Sequence, residues 1–140
     1  MFLTCFASEF SFLALVLQYS HIRLHRAETL EEADFLLLAT EATAFLTDVT
    51  FLDGTWCDAL RMCTEHYPRV PSAIVAEPAD HPFLSDAYVR GACGVLWKPV
   101  TLFDAAEMIR TIHQASLDRQ ALLLESGRCP IPADAPAPSR

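Results

Sequence analysis

The chain has 140 residues, enough for one domain and little more, with 52% hydrophobic and 20% charged side chains. Eighteen acidic residues stand against ten basic ones, a net charge of -8. That balance excludes a nucleic-acid surface, which needs a basic face to displace counterions.

The five cysteines (Cys5, Cys57, Cys63, Cys93 and Cys129) are odd in number and show no paired short spacing. They suit reduced thiols and a cytoplasmic location. The apolar stretch from Met1 to Ser20 has no basic leader region and is interrupted by Ser8, Glu9 and Ser11. It therefore reads as a buried strand and a helix, not as a signal peptide or membrane span.

In chain order, Phe2 to Ala7 has strand length, and Phe10 to Tyr19 is apolar on nearly every side, as in a helix packed on a sheet. His21 to Arg26 alternates Ile22 and Leu24 with polar neighbours, the period of a strand. No carboxylate or thiol joins His21 and His25, so they read as solvated or core-edge histidines. Thr29 followed by Glu32 forms a capping-box pattern that opens a helix running towards Phe45. The Phe35-Leu36-Leu37-Leu38 stretch lacks β-branched residues and stays in that helix.

Val49 to Leu52, bounded by Asp48 and Asp53, reads as a buried strand. Asp58 to His66 forms a short helix closed by Pro68 and Pro71, and Ala73 to Ala76 is the fourth strand. Pro82 to Arg90 reads as a helix stopped by Gly91, and Val95 to Trp97 as the fifth strand, ended by Lys98 and Pro99. Thr101 then opens a long amphipathic helix, with Asp104 completing a second capping box. That helix extends through Leu122, Leu123 and Leu124, whose apolar side chains either pack back on the domain or form a surface for a partner or a homodimer. Four of the nine prolines fall in the last eleven residues. The sequence thus divides into a domain over 1–125 and a flexible proline-rich tail over 126–140.

Strand and helix alternating five times imply a parallel sheet covered on both faces. Sites in such sheets form beyond the carboxyl ends of the strands. Those ends carry Ala7, Ser8 and Glu9 after the first strand, Asp53 after the third, Ala76 after the fourth and Lys98 after the fifth. A carboxylate there can act as nucleophile toward a phosphoryl group, with a divalent cation and a lysine neutralising its oxygens.

The segment DVTFLD at 48–53 resembles the third strand of bacterial response-regulator receiver domains, and AYVRGACGVLWKPV at 87–100 is similar to their fourth helix, fifth strand and lysine-proline step. The resemblance runs from about Phe2 to about His113. It implies an α/β, flavodoxin-like (CheY-like) doubly wound five-stranded parallel sheet of (βα)5 type. It also implies a non-enzymatic, stand-alone module of phosphorelay signalling.

In that frame Asp53 is the phosphoacceptor, Lys98 the phosphate contact, and Glu9 with Asp53 the ligands of a magnesium ion held weakly or not at all. Its partners would be a sensor histidine kinase or phosphotransfer protein and a downstream protein target, with no direct nucleic acid and no membrane. The sequence departs from the pattern in several places. Glu9 stands alone where two adjacent acids are usual, Ala76 replaces a Ser or Thr, and Val95 replaces the switch aromatic. The loop Gly54-Thr55-Trp56-Cys57 is short and lacks the usual proline. These departures describe a degenerate receiver, with a phosphate-independent pseudo-receiver scaffold or adaptor as the alternative. A small flavodoxin-like ligand-binding protein or enzyme is a more distant one, because only four glycines are present and no glycine-rich phosphate loop.

Overall fold

The computed structural model describes residues 1–4, 7–19 and 21–128. Five parallel strands form one sheet: β1 (Phe2–Leu3), β2 (Arg26–Ala27), β3 (Phe45–Asp48), β6 (Ser72–Ala76) and β7 (Ala92–Trp97). Their spatial order is β2-β1-β3-β6-β7, the flavodoxin-like order in which the chain reverses direction beside the first strand. The helices are α1 (Ala7–Gln18), α2 (Leu30–Ala39), α3 (Trp56–His66) and α4 (Leu102–Arg128). A two-stranded antiparallel ribbon, β4 (Thr50–Phe51) with β5 (Gly54–Thr55), links β3 to α3.

Alternation along each strand sends neighbours to opposite faces, and the core divides accordingly. Phe2, Leu46, Ala73, Val75 and Leu96 pack with Leu13, Val16 and Leu17 of α1 and with Ala105 and Met108 of α4. Leu3 and Phe45 pack with Ala33 and Leu37 of α2 and with Ala59, Met62 and Cys63 of α3. Ile74, Ala76 and Ala92 meet Trp56 and Leu60 of α3 on the remaining part of that second face. Because both faces are covered, β3 and β6 are buried along their whole length, as parallel strands are.

Capping follows the sequence patterns. The Thr29 side chain accepts from the Glu32 backbone N–H while the Glu32 side chain accepts from the Glu28 N–H. Thr101 and Asp104 exchange the equivalent pair at the start of α4. The Phe35–Leu38 stretch is helical, as its propensity implies.

Most element ends move by a few residues from the sequence expectation, and the larger departures are these. β2 is Arg26–Ala27, not His21–Arg26, because the β1 ladder offers only Phe2 and Leu3 as partners. Ile22 and Leu24 still turn towards the α1 and α4 core, but without strand pairing. The third strand is Phe45–Asp48, not Val49–Leu52, and the latter residues enter the ribbon. The helix expected over 82–90 is replaced by a 3-10 helix (Pro78–Leu84) followed by turns. Pro82, expected to open a regular helix, instead lies inside that 3-10 segment. The described residues therefore form four α-helices and one 3-10 crossover. At the carboxyl end, α4 runs to Arg128, so the segment expected as a tail begins with helix, and 129–140 lie outside the described residues.

Candidate functional site

Three parallel strands deliver their last residues to the same end of the sheet. β3 ends in Asp48, which pairs in register with Val75 of β6. β7 is followed by Lys98, whose backbone N–H donates to the Ala76 carbonyl at 2.8 Å. The Lys98–Pro99 peptide is cis. Thr4 follows β1 and is fully buried. Glu9 reaches in from the first turn of α1.

These side chains form one cluster. Lys98 Nζ lies 2.7 Å from Glu9 Oε1 and 3.7 Å from Asp48 Oδ1. The Thr4 hydroxyl donates to Asp48 Oδ2. Asp48 is only 2% exposed, so burial pushes its carboxyl up to about 6, against the opposing pull of the Thr4 hydrogen bond and the Lys98 charge. The Glu9 charge pushes the same way as burial. For Lys98, burial pulls downward, but the bond to Glu9 and the charges of Asp48 and Glu9 outweigh it and hold the ammonium above its ordinary value. Two carboxylates flank one ammonium, an ion triad with one acid in excess.

The sequence-derived site residues do not all meet here. Glu9 and Lys98 do. Asp53 does not stand at the end of the central strand. It sits in the ribbon turn, where its Oδ1 accepts from the Leu30 backbone N–H at 2.8 Å and satisfies a free amide at the start of α2. Its surroundings are Leu30, Glu31, Asp34, Asp58 and Arg61, in a surface hollow between α2 and α3. The carboxylate that the third strand brings to Lys98 is Asp48, five residues earlier. The sequence held only a partial signal for this: Asp53-Gly54 favours a turn, although the turn falls on Leu52-Asp53 and Gly54 pairs with Phe51.

Thr4 was likewise not singled out from the sequence. Ala76 occupies the end of β6 as anticipated and is buried, with only a methyl group to offer. Val95 is half-buried. The aromatic at this end of the sheet is Trp97 instead, stacked on His81 with ring centroids 5.6 Å apart.

A hard divalent cation seeks several oxygen ligands, usually carboxylates. Residues 1–8 contain neither Asp nor Glu, so the end of β1 supplies no carboxylate, and Thr4 offers a hydroxyl there. Both carboxylates of the cluster face the Lys98 ammonium, which repels a second cation. Among the described residues no group of three His, Cys, Asp or Glu side chains could hold a metal. The magnesium site implied by the resemblance does not fit these residues.

No family model matches the sequence. No curated protein matches it either. Solved structures do match in fold. The response regulator receiver domain protein from Clostridium thermocellum superposes with a TM-score of 0.73 at 19% identity, covering 86% of this chain and 95% of that one. NtrX from Brucella abortus gives a TM-score of 0.77 at 16% identity, covering 88% of this chain but 28% of NtrX. The beryllofluoride-activated NtrC4 receiver domain dimer gives 0.71 at 20% identity, covering 84% of this chain and 95% of that one. At these identities the likeness establishes the fold: this chain has the receiver-domain architecture. No described helix is long and apolar enough to cross a membrane.

Proposed function

We propose that this chain is a receiver-type signalling module that works through protein–protein contact and does not depend on phosphoryl transfer. The observation that carries the reading is the ion triad at the strand ends. Glu9 already occupies the Lys98 ammonium at 2.7 Å, and Asp48 is buried against Thr4. Phosphoryl transfer to a carboxylate needs a cation to neutralise the equatorial oxygens, and the acids that would hold it are missing. Ala76 has no hydroxyl with which to sense a phosphoryl group.

Support for the contact role comes from the surface on the β7 side. Tyr88, Val89, Leu102 and Phe103 are all more than half exposed, and apolar exposure of this kind marks interaction surfaces. The partners would be another signalling protein upstream or downstream, in the cytoplasm, and the module itself would catalyse nothing.

A second reading keeps the phosphorelay, with Asp48 as the acceptor in place of Asp53. It is favoured by the position of Asp48 at the end of the central strand, facing Lys98. One experiment separates the two. The purified protein, with Asp48→Ala and Asp53→Ala variants, is incubated with acetyl phosphate and magnesium, and intact mass is recorded. Unchanged mass in all three, beside a competent receiver as control, is the expected result. A phosphoryl-sized gain lost in Asp48→Ala would establish the relay reading and refute ours. A gain lost only in Asp53→Ala would restore the acceptor expected from the sequence.

A further inference from the structure

The end of the sheet opposite the ion triad holds a second feature. Between α1 and α4 lies a cavity of about 390 Å³. Leu46 and Leu96 form its floor on the sheet, Leu13 and Leu17 of α1 one wall, and Met108 and Ile112 of α4 the other. All but Ile112 of these are buried side chains, so the apolar lining belongs to the core layer, while one side of the space opens to solvent. Thr43, Ser116 and His113 also line it; Thr43 and His113 are exposed and mark its solvent side.

Protein interiors pack as densely as organic crystals. A cavity of roughly 150 Å³ lined by aliphatic side chains stays dry and takes up benzene. The present space is more than twice that size, and scaling by volume gives room for roughly 15 apolar heavy atoms. Water is a poor occupant, because each molecule needs two to four polar partners and the floor and both walls are aliphatic. A partner helix is too large. One turn about 10 Å across and 5.4 Å long already takes up roughly 420 Å³.

We infer that this cavity is a binding site for a small aliphatic molecule of medium chain length that carries one hydroxyl or carboxylate. The chain would lie along Leu46 and Leu96 between the two helices. The polar end would rest at the mouth, where the Thr43 and Ser116 hydroxyls and the His113 ring supply hydrogen-bonding groups. Such a ligand would brace α1 against α4 and hence act on the helix that carries Glu9. This assignment is independent of how the ion triad is read.

Isothermal titration of the full chain with decanoate and with 1-decanol tests it. Saturable one-to-one binding is expected for at least one of the two. Ala105→Leu, which fills the cavity from α4, should weaken binding at least about tenfold while leaving the unliganded melting temperature unchanged or higher. Ser116→Leu at the mouth serves as the second variant should Ala105→Leu disturb folding. If decanoate binds and decanol does not, His113→Ala should weaken decanoate binding, and an unchanged affinity would overturn the placement of its carboxylate at the mouth. Absence of saturable binding to either probe at submillimolar concentration would overturn the assignment. So would multi-site binding that is equal in the wild type and both filled variants.

Discussion

Replacing Asp48 by Asn should make the protein more stable at neutral pH. Burial raises the Asp48 carboxyl from 3.8 to about 6 in the folded state, so folding favours the protonated form. The penalty for carrying the charge is absent below pH 3.8, grows between 3.8 and about 6, and is fully present above that. Two pH units at 1.36 kcal/mol each correspond to about 3 kcal/mol. The pull of Lys98 and Thr4 is already contained in that shift.

Asn mimics the neutral acid, although its NH2 group faces the Lys98 ammonium and returns part of the gain. A net stabilisation of about 1–3 kcal/mol at about pH 7.5 is therefore expected, or up to roughly 10 °C in melting temperature. Urea denaturation at about pH 7.5 and about pH 4 measures it, with Trp56 and Trp97 as fluorescent probes. The gain should shrink towards zero at the lower pH. Asp53→Asn should behave oppositely. It weakens the bond to the Leu30 N–H and costs about 0.5–1 kcal/mol. A destabilised Asp48→Asn at pH 7.5, or a gain that does not change with pH, would refute the account of a strained, buried acid.

Three other outcomes follow from the geometry. Glu41 has φ 51 at the end of α2, where the Ala42 N–H reaches back to the Leu37 carbonyl; Glu41→Gly should stabilise by about 1 kcal/mol, seen as a higher urea midpoint. Gly91 has φ 110, and an added Cβ would come within 3.2 Å of the Thr64 hydroxyl; Gly91→Ala should lower stability by at least about 1 kcal/mol. Arg119 of α4 donates to the carbonyls of Pro68, Val70 and Gly91; Arg119→Met should cost about 1–3 kcal/mol and speed hydrogen exchange in those loops.

The sequence by itself determined the layer architecture. Its alternation of strand-length and helix-length segments, the capping boxes at Thr29 and Thr101, and the strands at 73–76 and 95–97 all reappear in the structure. Those signals are local. A cap forms within four residues, and a fully buried parallel strand is apolar wherever it pairs. Glu9 and Lys98 were legible for the same reason, since each sits beside an element whose end is marked by its own residues.

What only the tertiary structure decided was which carboxylate meets them. Phe45-Leu46-Thr47-Asp48 and Val49-Thr50-Phe51-Leu52 are both short stretches of strand-compatible residues. Periodicity does not choose between two such neighbours. The choice is made by pairing: Leu46 and Thr47 lie opposite Phe2 and Leu3 on one side and Ala73 and Ile74 on the other, which fixes the end of the strand at Asp48. Asp53 is left in the ribbon turn to cap α2. The shift of five residues follows from hydrogen bonds between segments more than twenty residues apart, which no local pattern records. The pKa of Asp48 and the cavity beneath α1 have the same origin, because burial and enclosed volume exist only once the helices have closed over the sheet.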